Sequence, residues 1–437
     1  MSIELLTLLL FLGILLTFAA GIPVAFALGA IAMLFGAFVW GPQCFNIIPH
    51  TATNAISGFI LLAVPLFLFM GQVLLRSGLG EAMFHAMHVL AGRVRGGLAI
   101  AVIVVCTFLG AMVGIIGAGI MLSGTIALPT MLKRGYNRYL ALGSVMAGGG
   151  MGILIPPSVP MIVFCSQTNA SIGKMFAGGM VPGLIMSSLF IIYIAGRSWI
   201  QPELCPALPK EERTAPGEKL IALRDALVAF GLIFTVLGTI LIGAATPTEA
   251  AAIGVVGACL IAMFYRRFNI GVLKEASINT MKMTGLLVWI LIGAMVFTNF
   301  HMMMGAGKLL NHLATFYNLP PMGVITMMQV SMIVLGCFMD ELLIVLICAP
   351  LYTPIAVSLG YDPIWFGILM ILNMEIAIQT PPYGFALFYL KAVAPPDVTM
   401  LDIYKSIAPF LAMKFVVLGL VMFFPQLAIW LPNLIFG

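Results

Sequence analysis

Two Pro-Pro pairs, Pro156-Pro157 and Pro381-Pro382, sit in the middle of long apolar stretches near 139–173 and 364–390. Each pair removes two backbone donors and bars the helical conformation from the residue before it. Each stretch is therefore predicted to be a helix, an unwound break and a second helix. The surroundings demand a bilayer: 62% of the 437 residues are hydrophobic and 8% charged. A water-soluble fold needs far more polar residues to cover its core. The apolar runs do not alternate, which argues against a β-barrel, and many reach the roughly 20 residues of a spanning helix.

Simple spans are predicted at 4–21, 23–40, 57–76, 176–196, 225–243, 247–265, 285–303 and 408–430. Two further apolar regions, 98–132 and 322–358, are too long for one span and read as re-entrant hairpins. The segments 77–96 and 266–284 mix basic and apolar residues and read as amphipathic arms on the cytoplasmic surface. The two halves match at an offset of about 225 residues: Gly135-Tyr136 with Gly360-Tyr361, Pro156-Pro157 with Pro381-Pro382, and Pro23 with Pro247. A repeat of helical units containing interrupted helices points to a secondary transporter.

Charge sets the orientation. Arg93 and Arg95 precede the first hairpin, and Lys133, Arg134 and Arg138 follow it, so both its ends are expected in the cytoplasm. No Lys or Arg occurs between Lys308 and Lys391, which puts the ends of the second hairpin in the periplasm. Counting spans outward places the 197–224 linker (Arg197, Lys210, Arg213, Lys219, Arg224) and Arg266-Arg267 inside, and both termini outside. The expected fold is an all-α polytopic membrane protein: an inverted repeat of two five-span units, each with a re-entrant hairpin and a Pro-Pro-broken helix. The net charge of +5 comes from these loop residues and gives no clustered face for nucleic acid. The seven cysteines form no Cys-x-x-Cys pair, and no protease or hydrolase motif is present, so no enzyme is expected.

The breaks carry the chemistry. Carbonyls freed inside a membrane cost several kcal/mol each unless they meet an ion or a wet cavity. Half-helix C-termini suit Na⁺, and half-helix N-termini suit a carboxylate or sulfonate. Ser158 and Thr380 put hydroxyls beside the breaks. Asp340-Glu341, at the tip of the second hairpin, can bind Na⁺, neutralise a proton, cap the hairpin or lie at a wet tip. Asn373 and Glu375 precede the second break; Glu375 is placed to ligate a cation or to satisfy unwound backbone. Glu249 reads as a helix cap. The glycines from Gly110 to Gly119 permit close approach of an ion or substrate, or tight helix packing. Lys174 and Lys391 read as snorkelling residues.

Several ordered motifs resemble the large membrane subunit of the TRAP (tripartite ATP-independent periplasmic) transporters: Thr246-Pro247-Thr248-Glu249-Ala250-Ala251, Lys133-Arg134-Gly135-Tyr136, Ile155-Pro156-Pro157-Ser158, Phe176-Ala177-Gly178 through Pro182-Gly183, and Thr380-Pro381-Pro382. Ala127-Leu128-Pro129 and Gly384 to Leu390 resemble the branch labelled for mannitol or chloroaromatic compounds. The resemblance covers nearly the whole chain. It implies an elevator-type transporter of the bacterial inner membrane: a transport domain (98–175 and 322–395) moving past a scaffold (1–97, 176–321 and 396–437). It also implies two separate partners, a small four-helix membrane subunit and a periplasmic substrate-binding protein. Sodium ions would sit beside each break under a hairpin tip, at Gly152, Pro156 and Ser158 with Gly114, and at Gln379, Thr380 and Pro382 with Asp340. With Asn373 and Glu375 these complete the candidate Na⁺ ligands; Gly114, Gly117, Ser158, Asp340, Thr380 and Tyr383 are the candidate substrate-binding residues. Many members carry a Gly-Ser-Ser-like first tip. Here it is Gly114-Ile115-Ile116-Gly117, so a cation there relies on backbone carbonyls or other side chains. The expected function is sodium-coupled import of a small organic acid, carboxylate or sulfonate; the alternative is a stand-alone anion symporter or exchanger of similar plan.

Overall fold

The computed structural model describes residues 3–91, 94–114, 116–206, 216–305 and 320–437; Arg93, Ile115, Lys210, Arg213 and Lys308 lie outside them. Among the described residues every regular element is helical. The first half contains α1 (Ile3–Ala19), α2 (Val24–Trp40), α3 (Ile47–Ser57), α4 (Ala63–Arg76) and α5 (Leu79–Ala91), then α6 (Gly97–Val113), α7 (Ile116–Lys133), α8 (Arg138–Gly150), α9 (Val159–Thr168) and α10 (Ile172–Ile200). The second contains α11 (Pro216–Leu241), α12 (Pro247–Phe264) and α13 (Ile270–Met303), then α14 (Pro321–Gly336), α15 (Glu341–Ser358), α16 (Pro363–Ala377), α17 (Phe385–Val393), α18 (Met400–Phe423) and α19 (Gln426–Phe436). Eight of these segments are long and apolar enough to cross a bilayer. Large side chains such as Phe38, Phe234 and Ile242 stay exposed on them, as a lipid-facing surface requires.

The two halves share local turns and caps at the matched positions. Gly135 (φ +77°) stops α7, and Gly360 (φ +87°), at the matching place, stops α15. Only glycine takes this left-handed conformation without penalty. Each glycine is followed by Tyr and then by the N-cap of the next helix. Asn137 accepts from the amides of Tyr139 and Leu140 at the start of α8, and Asp362 from those of Ile364 and Trp365 at the start of α16. Thr246 and Glu249 form a reciprocal capping box on α12, the role expected of Glu249. The Tyr136 hydroxyl accepts from the Leu98 amide (3.3 Å), satisfying a first-turn donor of α6.

Both long apolar regions fold as helix pairs, α6–α7 around Gly114 and α14–α15 around 337–340, and both Pro-Pro stretches are interrupted as predicted. Two elements differ from expectation. The arm 266–284 and the span 285–303 form one helix, α13, because no Pro or Gly pair interrupts them, whereas the first arm is the separate helix expected, turned 64° from α4 at Gly78 (φ +81°). The span 408–430 is two helices, since Pro425 cannot continue α18 and holds Phe424 out of the helical conformation.

Packing sorts the helices into two sets. α1–α5 and α11–α13 contact one another, and the hairpins and broken helices contact one another; the sets meet chiefly where α5 and α4 touch α6 and where α13 touches α15. α10 and α18 contact mainly the hairpins and broken helices. Glycines explain the placement of α10. A Cβ at Gly179 would lie 2.6 Å from the Leu154 carbonyl, and one at Gly183 2.7 Å from Ile155, so this face seats on the first break. That accounts for the Phe176-to-Gly183 motif.

Candidate functional site

The first break is made by what the prolines lack. In a helix the N–H of residue i+4 serves the carbonyl of residue i. Pro156 and Pro157 have no N–H for Gly152 and Ile153. Ile153 is served instead by the Ser158 hydroxyl (2.5 Å), whose oxygen also caps α9 by accepting from Met161 N. No such substitute serves Gly152 from position 156. The tip of the first hairpin closes over this point. The Val159 amide donates to the Gly114 carbonyl (3.4 Å), and Gly114 is left-handed (φ +68°), with room for a Cβ only 3.2 Å from the Pro157 carbonyl. A Cβ at Gly110 would lie 2.6 Å from Gly152 Cα, and one at Gly119 2.9 Å from the Gly149 carbonyl. Gly110 and Gly119 thus serve close helix packing, whereas Gly114 serves the turn. Gly117 sits against the Tyr389 ring. Gly152, Pro156 and Ser158 are all buried.

The second break is differently satisfied. Pro381 and Pro382 deprive Ala377 and Ile378 of helical donors, and the amides of Thr380 (3.2 Å) and Ala386 (3.1 Å) replace them. The Thr380 hydroxyl donates to the Ile376 carbonyl (2.7 Å), and the Pro382 carbonyl accepts from Tyr404 (2.7 Å) on α18. The second hairpin reaches this break: Gly336 abuts Ala377, and Phe338 faces the exposed Tyr383 ring at 6.2 Å. Asp340 is the N-cap residue of α15 but makes no side-chain cap bond. Its carboxyl lies within reach of that of the buried Glu341. Asn373 faces elsewhere: its amide donates to the Gln329 carbonyl and side-chain oxygen, both at 2.8 Å, tying α16 to α14. Lys391 donates to the Val398 carbonyl.

The remaining two candidates meet a partner that the sequence reading did not single out. Glu375 and Gln379 are fully buried where the end of α16 crosses the end of α8. There the Lys414 ammonium of α18, also fully buried, lies 2.9 Å from Glu375 Oε1 and donates to Gln379 Oε1 (2.7 Å). Gln379 Nε2 in turn donates to the Met146 carbonyl of α8 (3.2 Å). A Cβ at Gly150 would run into Gln379 Nε2 and lie 2.9 Å from Glu375 Oε1. The signal was Lys414, a lysine in the middle of the apolar stretch of α18, where an intramembrane charge is a functional candidate by default.

The comparisons agree with this architecture. Residues 11–427 match the family model described as the tripartite ATP-independent periplasmic transporter, DctM component. The chain is 32% identical to the C4-dicarboxylate TRAP transporter large permease protein DctM of Vibrio cholerae, covering 98% of each. It is 29% identical to the isethionate TRAP transporter permease protein DctMQ of Oleidesulfovibrio alaskensis, covering 93% of this chain and 63% of that one. Among solved structures, the YdaH transporter of Alcanivorax borkumensis superposes with a TM-score of 0.60 at 15% identity, covering 95% of this chain and 97% of that one, a likeness of fold alone. A match over nearly the full length to the family model and to a relative above 30% identity settles the assignment: the chain belongs to the tripartite ATP-independent periplasmic transporters as their DctM component, a multi-pass protein of the bacterial inner membrane.

Proposed function

We propose that this chain is the permease of a sodium-coupled importer for a small organic anion, a carboxylate or sulfonate, handed over by a periplasmic binding protein. One observation carries the reading: each half interrupts a helix inside the apolar core and lays a hairpin tip on the interruption. At the first, the Gly152 carbonyl is deprived of its helical donor where Gly110 of the first hairpin packs on it, the kind of oxygen a sodium ion takes. The half-helix N-termini at α9 and α17 offer positive ends to an anion. Relatives named for C4-dicarboxylates and for isethionate support an acidic cargo. The longer relative whose printed name joins M and Q, of which this chain covers 63%, supports a small membrane subunit as partner. The division of the helices into two sets supports an elevator, in which the hairpin set carries cargo past α1–α5 and α11–α13.

The test is radiolabelled uptake into proteoliposomes holding the chain, its small subunit and its binding protein. Uptake is expected only with all three components and an inward sodium gradient. Uptake by the chain alone would instead select the stand-alone symporter or exchanger.

A further inference from the structure

The crossing of the two broken helices has the donors of a cation site. It offers a carboxylate (Glu375), an amide oxygen (Gln379) and the C-terminal end of α8, whose carbonyls make a negative pole. It is wholly buried, and Gly150 keeps it open by contributing no side chain. What fills it is the Lys414 ammonium, which also sits over the Phe190 ring at 6.0 Å. The repeat makes the arrangement one-sided. At the same offset, Glu375 corresponds to Gly150 and Lys414 to Leu189 on α10, so the first half carries neither charge. An ion pair buried only for packing is replaceable by apolar residues at little cost or with a gain. This one instead joins three elements, α8, α16 and α18, at the two places where the chain is unwound.

We infer that Lys414 supplies a resident cation: its ammonium occupies a monovalent-cation position built by Glu375, Gln379 and the end of α8. The charge is covalently attached, so it holds both broken helices together in every step and is not exchanged with the medium. It adds nothing to the count of transported ions. The inference stands apart from sodium coupling, because it concerns a position that stays filled and not the ion that moves.

The test compares the purified full-length chain with Lys414→Ala and with Lys414→Ala/Glu375→Gln. Thermal melting is followed in choline chloride, sodium chloride and propylammonium chloride at equal ionic strength. Choline is too large for the position, whereas sodium and propylammonium fit it. The single variant is expected to melt lower than the parent in choline and to recover, with increasing concentration, in sodium or propylammonium. Parent and double variant should show no such selectivity, since one has its cation and the other has lost its carboxylate. A single variant recovered folded only when sodium or propylammonium is present during purification also supports the inference. Identical melting in all three salts, equal selectivity in the double variant, or recovery of the double but never of the single variant in any salt would overturn it.

Discussion

At the scale of residues, the chain spends glycine where two backbones or a charge cluster must share space. Gly150 is the sharpest case, with Gln379, Glu375 and Lys414 around the place of its missing Cβ. Gly150→Ala is expected to destabilise the protein by about 1–3 kcal/mol, the usual range for forced overpacking. The check is a shift in melting temperature, with uptake falling alongside. Tyr136 offers a test outside the spans. Burial pushes its phenol up to about 12, against roughly 10 for an unfolded tyrosine. The neutral form is thus favoured by folding. Its contribution is fully present below pH 10 and is lost as pH rises towards 12. Tyr136→Phe should cost about 1–3 kcal/mol at neutral pH by orphaning the Leu98 amide. It should also flatten the alkaline limb of the stability profile. An unchanged limb would deny Tyr136 this role. Arg138, which pairs with Asp397 and Asp402 at an exposed corner, makes the opposite prediction. Arg138→Ala should change stability by no more than about 1 kcal/mol, and less at high salt.

At the scale of elements, much was legible because the chemistry is local. A Pro-Pro pair breaks a helix whatever surrounds it, and Gly followed by Tyr and an Asn or Asp cap ends one helix and starts another. The hairpins, the breaks and the cap at Glu249 follow from such signals. The neighbours of α10 and α18 do not, since hydropathy marks a helix as spanning without saying which helix it touches. Only the glycine face of α10 and the lysine in α18 hinted at the answer. For the same reason Glu375 and Gln379 were legible as important but not as partners of Lys414. Asn373 pointed to the break by its place in sequence, yet its helix face turns it to Gln329. The hairpin tips carry this scale's prediction. Gly114→Val puts a β-branched residue at φ +68° against the Pro157 carbonyl. Left-handed backbone alone costs a non-glycine residue about 1–2 kcal/mol. The variant should insert and assemble yet lose most uptake, and Gly114→Asn, which tolerates this conformation better, should retain more. Equal uptake by both variants and the parent would remove the tip from the transport site.

At the scale of the whole molecule, a core of hairpins and broken helices packs against an outer layer of α1–α5 and α11–α13. Two surface ion pairs join neighbouring elements of the outer layer: Arg76 at the end of α4 with Glu275 in the first turns of α13, and Glu81 of the first arm with Arg267 just before α13. Such exposed pairs are weak, so the rigidity of each set comes from its apolar packing. Motion between the sets, driven by an ion held at the breaks, is the central claim. The most direct measurement is the transient current on a supported membrane carrying the assembled complex with loaded binding protein. The account predicts an inward positive current on adding sodium together with cargo, absent in choline and lost in Gly114→Val. A current of equal size in choline, or cargo uptake that proceeds without sodium, would contradict it.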